Sequence, residues 1–372
     1  MKTLAVIGAS YLQLPLVKRA KEMNLRTICF AWEEGAVCKN ICDIFFPISI
    51  IEKELILEIC RKENIDGICT IASDVASPTV AYIAEQMGLV GNSYECAIRA
   101  NNKYLMRQAF HNAGIPCPEY HQCKNMEEAE AMHLHYPLIV KPVDRSGSLG
   151  VAKVMKSEDL NQAIRNASEC SFRHEAIVEQ FIEGREISVE FITYQGKHYP
   201  LQITDKVTTE APHFVELEHH QPANLTAAQY EEIYALTKRA LDALDITNGA
   251  SHSEYRITKD GKIYVMEIGA RMGGDFIGSD LVQLSTGYDF LRGVIEIAIG
   301  DFHIPLPTKK AYSGVYFLCA DTANVEHYID NSAIYPEIVK SERTDQTLRH
   351  VTCSGERSGY FIYQANEKFM VL

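Results

Sequence analysis

Along the first part of the chain, short unbroken apolar runs alternate with longer stretches of helical period. LAVIG (Leu4–Gly8), TICF (Thr27–Phe30), DIFF (Asp43–Phe46) and DGICTI (Asp66–Ile71) read as buried strands. Between them, Leu12–Met23, Ile51–Glu63 and Ala76–Met87 carry helical spacing with charged faces. This alternation predicts an open, largely parallel sheet with right-handed crossovers, and so an α/β fold. Asn92 reads as an N-cap, with helices over Tyr94–Asn101 and Lys103–Ala113; Gly114, Pro116 and Pro118 then break the chain near residue 115.

The period changes beyond that break. PLIVKPV (Pro137–Val143), VAKVM (Val151–Met155) and AIVEQFI (Ala176–Ile182) predict strands, with a helix over Glu158–Glu169. EISVEFITY (Glu186–Tyr194) alternates strictly and turns at Gly196 into HYPLQIT (His198–Thr204). A helix over Ala227–Leu244 precedes a hairpin of SHSEYRIT and KIYVMEIG, and further short strands follow residue 302.

Composition narrows the function classes. Of 372 residues, 47% are hydrophobic and 23% charged, the balance of a globular protein. The formal net charge of -13 argues against sequence-independent nucleic-acid binding, which needs a basic face. No apolar run approaches the roughly 18 residues of a membrane span, so no membrane partner is expected. The eleven cysteines include no C-x-x-C pair, which favours reduced thiols in a cytoplasmic protein over a disulfide framework or a zinc site. GASYLQ, after the first strand, lacks the G-x-G-x-x-G spacing of a dinucleotide site.

The hairpin at Ser251–Gly269 holds the most informative chemistry. Asp260–Gly261 signals a two-residue type I′ turn. That turn places Glu254 directly across from Glu267, Tyr255 opposite Met266 and Ile257 opposite Tyr264. Two carboxylates on one face, with Cβ atoms about 5 Å apart, repel unless neutralised. Mg²⁺ takes one or two carboxylates plus substrate phosphates, so the pair is a candidate metal site; the alternative is a solvated acidic face compensated by Arg256. In VKPVDRSGSLGV (Val140–Val151), a strand ending at Lys141 crosses a small-residue loop, Ser146, Gly147, Ser148, Leu149 and Gly150. Such a loop lets backbone N–H groups approach phosphate oxygens, although many glycine-rich hairpin loops have no ligand. In VEQFIEGREISVE, Gly184 interrupts two strands and leaves Glu179, Gln180, Phe181 and Ile182 as a hinge whose backbone can pair with an adenine edge, although edge strands often have this form for structural reasons alone. TTEAPHFVELEHHQPA (Thr208–Ala223) reads as a loop that puts Glu216 and His219 three residues apart; solvated loop residues are the plain alternative.

In order along the chain, NNKYLMR (Asn101–Arg107), IVKP with its Gly-rich loop, VEQFIEG, SEYRIT and MEIGAR resemble the ATP-grasp superfamily from Leu4 to about Gly300. The resemblance implies ATP and Mg²⁺ as cofactors. It assigns Lys103 and Lys141 to the α- and β-phosphates, Ser146–Gly150 to a flap over the triphosphate, and Glu179 to Ile182 to adenine. Glu186 would hold the ribose, Glu254 and Glu267 the Mg²⁺, and Arg271 the transferring phosphate. Gly269 stands where many members have Asn, which replaces or removes one metal ligand. The EIGARMGGD form resembles the branch of L-amino acid ligases and related carboxylate–amine ligases, where the loop matching PHFVELEHH serves the substrate pocket. Glu216 and His219 are the substrate candidates there, and Gly273 and Gly274 offer backbone N–H groups to a carboxylate or oxyanion.

The expected architecture is a Rossmann-like pre-ATP-grasp domain over 1–100 and an ATP-grasp domain over 101–301. The latter divides into a Gly-rich-loop lobe (about 115–182) and a metal-hairpin lobe (about 183–301), and a small C-terminal subdomain spans 302–372. The expected activity joins a small carboxylate, through its acyl phosphate, to an amine, with small-molecule partners and a homodimer as a compatible assembly. The rivals are a purine-pathway enzyme of glycinamide ribonucleotide transformylase or aminoimidazole ribonucleotide carboxylase type, and a non-catalytic nucleotide-binding module.

Overall fold

The computed structural model describes residues 1–123, 135–209 and 213–371. Strands β1 (Thr3–Ile7), β2 (Arg26–Phe30), β3 (Ile44–Phe46) and β4 (Gly67–Cys69) form a parallel sheet in the order β3-β2-β1-β4. Helices α1 (Leu14–Glu22), α2 (Lys53–Glu63) and α3 (Ser77–Met87) are the crossovers. All five residues of β1 are buried because both sheet faces are covered, which is why the strand reads as an unbroken apolar run. Ala5 and Ile7 pack with α2 and α3, whereas Leu4 and Val6 pack with α1 and a helix from much later in the chain, Phe290–Ala298.

That late helix approaches closely at Gly67. A Cβ built there would lie 2.4 Å from the carbonyl oxygen of Ala298. Gly67→Ala is therefore expected to destabilise the chain by about 1–3 kcal/mol, the usual cost of overpacking, as read by urea denaturation.

Helices α4 (Tyr94–Asn101) and α5 (Lys103–Asn112) follow. The expected cap at Asn92 is not one: Ser93 caps α4 by accepting from the Cys96 N–H at 3.1 Å. Asn92 Oδ1 accepts instead from the N–H groups of Thr247 and Asn248, tying α4 to the turn before a distant strand. Next comes an antiparallel sheet ordered β5-β8-β6-β7, built from β5 (Tyr120–Cys123), β6 (Leu138–Pro142), β7 (Ala152–Val154) and β8 (Ala176–Gln180). The amphipathic helix Ser157–Cys170 covers it with Leu160, Ala163, Ile164 and Ala167.

The remaining strands build one eight-stranded sheet, β13-β12-β9-β10-β11-β14-β16-β15. They are β9 (Arg185–Tyr194), β10 (Lys197–Thr208), β11 (Glu216–Gln221), β12 (Gly249–Ile257), β13 (Ile263–Gly269), β14 (Tyr312–Leu318), β15 (Ile338–Arg343) and β16 (Gly359–Ala365). Ile187, Val189 and Phe191 of β9 share a core with Ile233, Leu236 and Leu241 of the helix Ala227–Ala243. The alternating residues Glu186, Ser188 and Glu190 therefore face the other way. β14 pairs with β11, so residues after 302 extend this sheet. Among the described residues no helix is long and apolar enough to cross a membrane.

Two further local expectations fail. The stretch from Thr208 to Ala223 reads as a loop in the sequence, but Glu216–Gln221 is β11, hydrogen-bonded between β10 and β14; residues 210–212 lie outside the described residues. Its dense Glu and His conceal an edge-to-edge pairing that only the long-range neighbours reveal. The hairpin turn also differs. Gly261 has φ +84° while Asp260 does not enter the left-handed region, and the Gly261 N–H bonds to the Thr258 carbonyl. This is a longer loop with one left-handed glycine rather than a two-residue type I′ turn. Tyr255 consequently faces Val265 and Ile257 faces Ile263, not Met266 and Tyr264. A bulge between Glu254 and Tyr255 restores the register, so Glu254 still lies opposite Glu267. Left-handed φ at both central residues occurs instead at Gln195–Gly196, where Tyr194 pairs with Lys197.

Candidate active site

Between the small sheet and the large one lies a cavity of about 210 Å³. Its walls bring together Lys103, Lys141, Ser146, Gly147, Ser148, Glu179, Phe181 and Ile182 from one side and Glu186, Glu216, Glu254, Glu267 and Arg271 from the other. Gln180, Gly150, His219, Gly273 and Gly274 are not in its lining. Gln180 is exposed, and a Cβ at Gly150 would lie 3.0 Å from both Cys170 and Pro142, so that glycine supports loop packing.

Glu254 and Glu267 present a partly open acidic pair. Lys206 Nζ stands 2.7 Å from Glu254, and Lys103 Nζ stands 2.8 Å from Glu267 and 2.7 Å from the Arg145 carbonyl. Lys206, on β10, also reaches Glu186 at 3.0 Å and Glu216 at 3.6 Å. Burial opposes its charge, but the carboxylates of Glu254, Glu186 and Glu216 raise its pKa well above the ordinary lysine value. Burial likewise disfavours the Glu254 anion, yet Lys206 and His252 hold its pKa well below normal. Glu216 is raised, burial outweighing Lys206, and it accepts from the Ser354 hydroxyl at 3.2 Å.

Lys141 lies at the end of β6, 2.8 Å from Glu179, whose other oxygen lies 2.8 Å from Nε of the fully buried Arg107. Burial lowers the Lys141 pKa, only partly offset by Glu179, while Arg107 and Lys141 overcome burial to keep Glu179 below its usual value. The Glu179 side chain thus holds two cations together, and only its backbone belongs to the hinge. Removing it would strand buried positive charge: Glu179→Gln is expected to cost about 3–5 kcal/mol in chemical denaturation.

Arg271 makes a bidentate pair with Asp74 at 2.8 Å for both bonds, and Nη1 donates to the Met272 carbonyl at 3.3 Å. Asp74 follows β4 in the N-terminal sheet, and Ala72 nearby donates its N–H to the Met272 carbonyl. The loop after β4, beside the point where the strand order reverses between β1 and β4, thereby reaches the site through Asp74.

His219 shares a face with Lys206, its direct partner across β10 and β11, but it is completely buried and does not line the cavity. Neither ring nitrogen has a hydrogen-bond partner among the described residues, and the ring meets Phe317 edge-on at 5.7 Å. Burial, then Lys206, hold its pKa well below the usual histidine value. A depressed histidine contributes stability that is complete above the unfolded value near 6.5 and is lost as pH falls. Replacing His219 with Asn is expected to remove up to about 1.4 kcal/mol per pH unit from the acid-side loss of stability, as read from denaturation at pH 7 and pH 5.5.

Sequence reasoning missed Lys206, Asp74, Glu190 and His252. The alternation of β9 and β12 could have flagged Glu190 and His252, which share the face of Glu186 and Glu254. Asp74 comes from another sheet, and no local pattern marks it. His252 sits between Glu190 and Glu254, and despite burial Glu190 raises it to about 9. Gly273 donates its N–H to Glu190 at 3.1 Å, so that group is not free for a substrate oxygen as expected.

Residues 134–280 match the ATP-grasp domain. The chain is 27% identical over 331 residues to alanine–anticapsin ligase of Bacillus subtilis (strain 168), covering 80% of this chain and 70% of that one. It is 30% identical over 204 residues to D-alanine–D-alanine ligase of Pelobacter propionicus, covering 49% of this chain and 60% of that ligase. The crystal structure of L-amino acid ligase from Bacillus licheniformis superposes with a TM-score of 0.80 at 25% identity, covering 99% of this chain and 94% of that one. The ADP complex of an N5-carboxyaminoimidazole ribonucleotide synthetase reaches the same TM-score at 17% identity over 98% and 93%, a likeness of fold. The chain carries an ATP-grasp domain over residues 134–280, and its similarity to these ligases supports an ATP-dependent ligase.

Proposed function

We propose that this ligase activates a small amino acid as its acyl phosphate and passes the acyl group to an amine, releasing ADP and phosphate. The observation that carries this reading is the convergence of Lys103, Lys141 and the Ser146–Ser148 loop with Glu254, Glu267 and Arg271 around one cavity. Lys103, Lys141 and the loop N–H groups would hold the phosphates, and Glu186 the ribose hydroxyls. The backbone from Glu179 to Ile182 would read the adenine edge: Phe181 already donates to Pro137, and the Ile182 N–H has no partner among the described residues.

The acidic pair fits a hard divalent cation. Its donors are carboxylate oxygens only, each now faced by an ammonium group, and no cluster of three or more metal-binding side chains occurs among the described residues. Two carboxylates plus phosphate oxygens is the usual Mg²⁺ arrangement. Such an ion, held by Glu254 and Glu267, would neutralise phosphate charge.

The substrate carboxylate attacks the γ-phosphorus and ADP leaves; the amine then attacks the acyl carbon and phosphate leaves. No protein nucleophile is required, because positioning and fixed charge supply the catalysis. Arg271, held by Asp74 through Nε and Nη2, would turn Nη1 toward a phosphoryl oxygen. Lys206, which sequence reasoning did not single out, would follow the same charge. Glu216, across the Lys206 ammonium from Glu254, would act as an acceptor for an ammonium group, with the Gly274 N–H as donor to a carboxyl or oxyanion. His219 would act only through packing beside Lys206.

Phosphate release from ATP should be measured with amino acids offered singly and in pairs. Release that depends on one specific pair identifies the substrates. No response to any amino acid would reject the substrate class.

A further inference from the structure

Beside the carboxylates of the site lies a buried acid to which the reaction above gives no role. Glu190 is fully buried on β9, directly across from His252 on β12. Its two oxygens serve different segments. Oε1 pairs with Nδ1 of His252, and Oε2 accepts the N–H of Gly273 at 3.1 Å. On the far side of the imidazole, Nε2 lies 3.4 Å from Oε1 of Glu254. One carboxylate thus touches both the strand that carries Glu254 and the loop that follows Glu267 and Arg271.

The contact leaves no slack. A Cβ at Gly273 would lie 2.8 Å from His252 Nδ1 and 3.0 Å from Glu190 Oε1, so the loop backbone sits directly on the pair. An acid this deep is tolerated only when its oxygens are satisfied. Here one acceptor goes to His252, which lines the cavity, and the other to the loop two residues beyond Arg271, rather than to the surrounding sheet backbone.

We propose that Glu190 is a positioning residue for the ligase reaction. Through His252 it fixes the orientation of the Glu254 carboxylate, and through the Gly273 N–H it fixes the loop that presents Arg271 and Gly274. The inference rests on the ligase reading above. It makes the metal site and the acyl site two ends of one hydrogen-bonded chain, so a change at Glu190 shifts both together. Residues that orient metal-ligating side chains are commonly worth on the order of 10- to 100-fold in metal affinity or activity.

Glu190→Gln keeps the shape and one acceptor while removing the charge. In the variant, ATP alone should raise the melting temperature as it does in the wild type. The Mg²⁺ concentration that half-saturates the further rise should increase roughly 10-fold or more, and KM for the acyl substrate should rise as kcat falls. A purely structural role would lower the melting temperature and the active fraction while leaving the Mg²⁺ dependence and both KM values unchanged, and that result overturns the proposal. If Glu190→Gln does not fold, the same measurement on His252→Gln, which can still bond on both sides, decides the question in the same way. A wild-type protein that shows no stabilisation by Mg²⁺ and ATP would take down the ligase reading and this inference together. A normal wild-type response with unaltered variants would sink the positioning role alone.

Discussion

Glu254→Gln is expected to lower turnover by roughly 10²- to 10³-fold, the usual loss when one preorganised charge-stabilising group is removed from a reacting centre. The fold should survive. Glu254 is one of two facing carboxylates, and Lys206, which it neutralises, keeps Glu186 at 3.0 Å and Glu216 at 3.6 Å after the change. Glutamine still offers an oxygen to the metal but no negative charge, and it sets a neutral amide against Lys206 in its place. Raising Mg²⁺ should recover part of the activity, because the defect lies in ion occupancy. Near-wild-type turnover of Glu254→Gln at ordinary Mg²⁺ would show that the acidic pair is not the metal site.

Arg271→Lys should cost on the order of 10³-fold in kcat, at the lower end of what transition-state arginines contribute in phosphoryl transfer. The reason is geometric. Asp74 occupies Nε and Nη2 of the guanidinium in two 2.8 Å bonds, which leaves the Nη1 edge aimed by a rigid plane. A lysine ammonium could meet either Asp74 or a phosphoryl oxygen, but it has no planar fork with which to hold one while presenting the other. The KM for ATP should change much less than kcat, since the interaction strengthens as charge develops on the transferring group. Equal losses in both parameters would assign Arg271 a ground-state role.

The parts of this site that follow strand periodicity are legible in the sequence. The Glu254–Glu267 opposition survives two departures at once, a longer turn and a bulge, because these cancel in register before the carboxylates are reached. Lys103, Lys141 and the Ser146–Ser148 loop are legible as motifs, and the fold brings them to one cavity. What cannot be read is what depends on distant partners. Glu179 looks like a hinge residue, yet its side chain is consumed by Arg107, which lies 72 positions earlier in the chain, and by Lys141 from the neighbouring strand. Asp74 reaches Arg271 from a different sheet. β11 reads as a loop because its polar residues face neighbours contributed by β10 and β14. The N-terminal sheet looks self-sufficient in sequence, whereas the helix Phe290–Ala298 closes one of its faces.

Formation of an acyl phosphate, on which the proposed reaction turns, is best tested by trapping the activated acid. Hydroxylamine replaces the amine substrate, and hydroxamate is measured alongside the nucleotide product. An acyl-phosphate route predicts hydroxamate that depends on one amino acid and accumulates in a one-to-one ratio with ADP. Hydroxamate accompanied by AMP and pyrophosphate would contradict that route, because the activated species would then be an acyl adenylate.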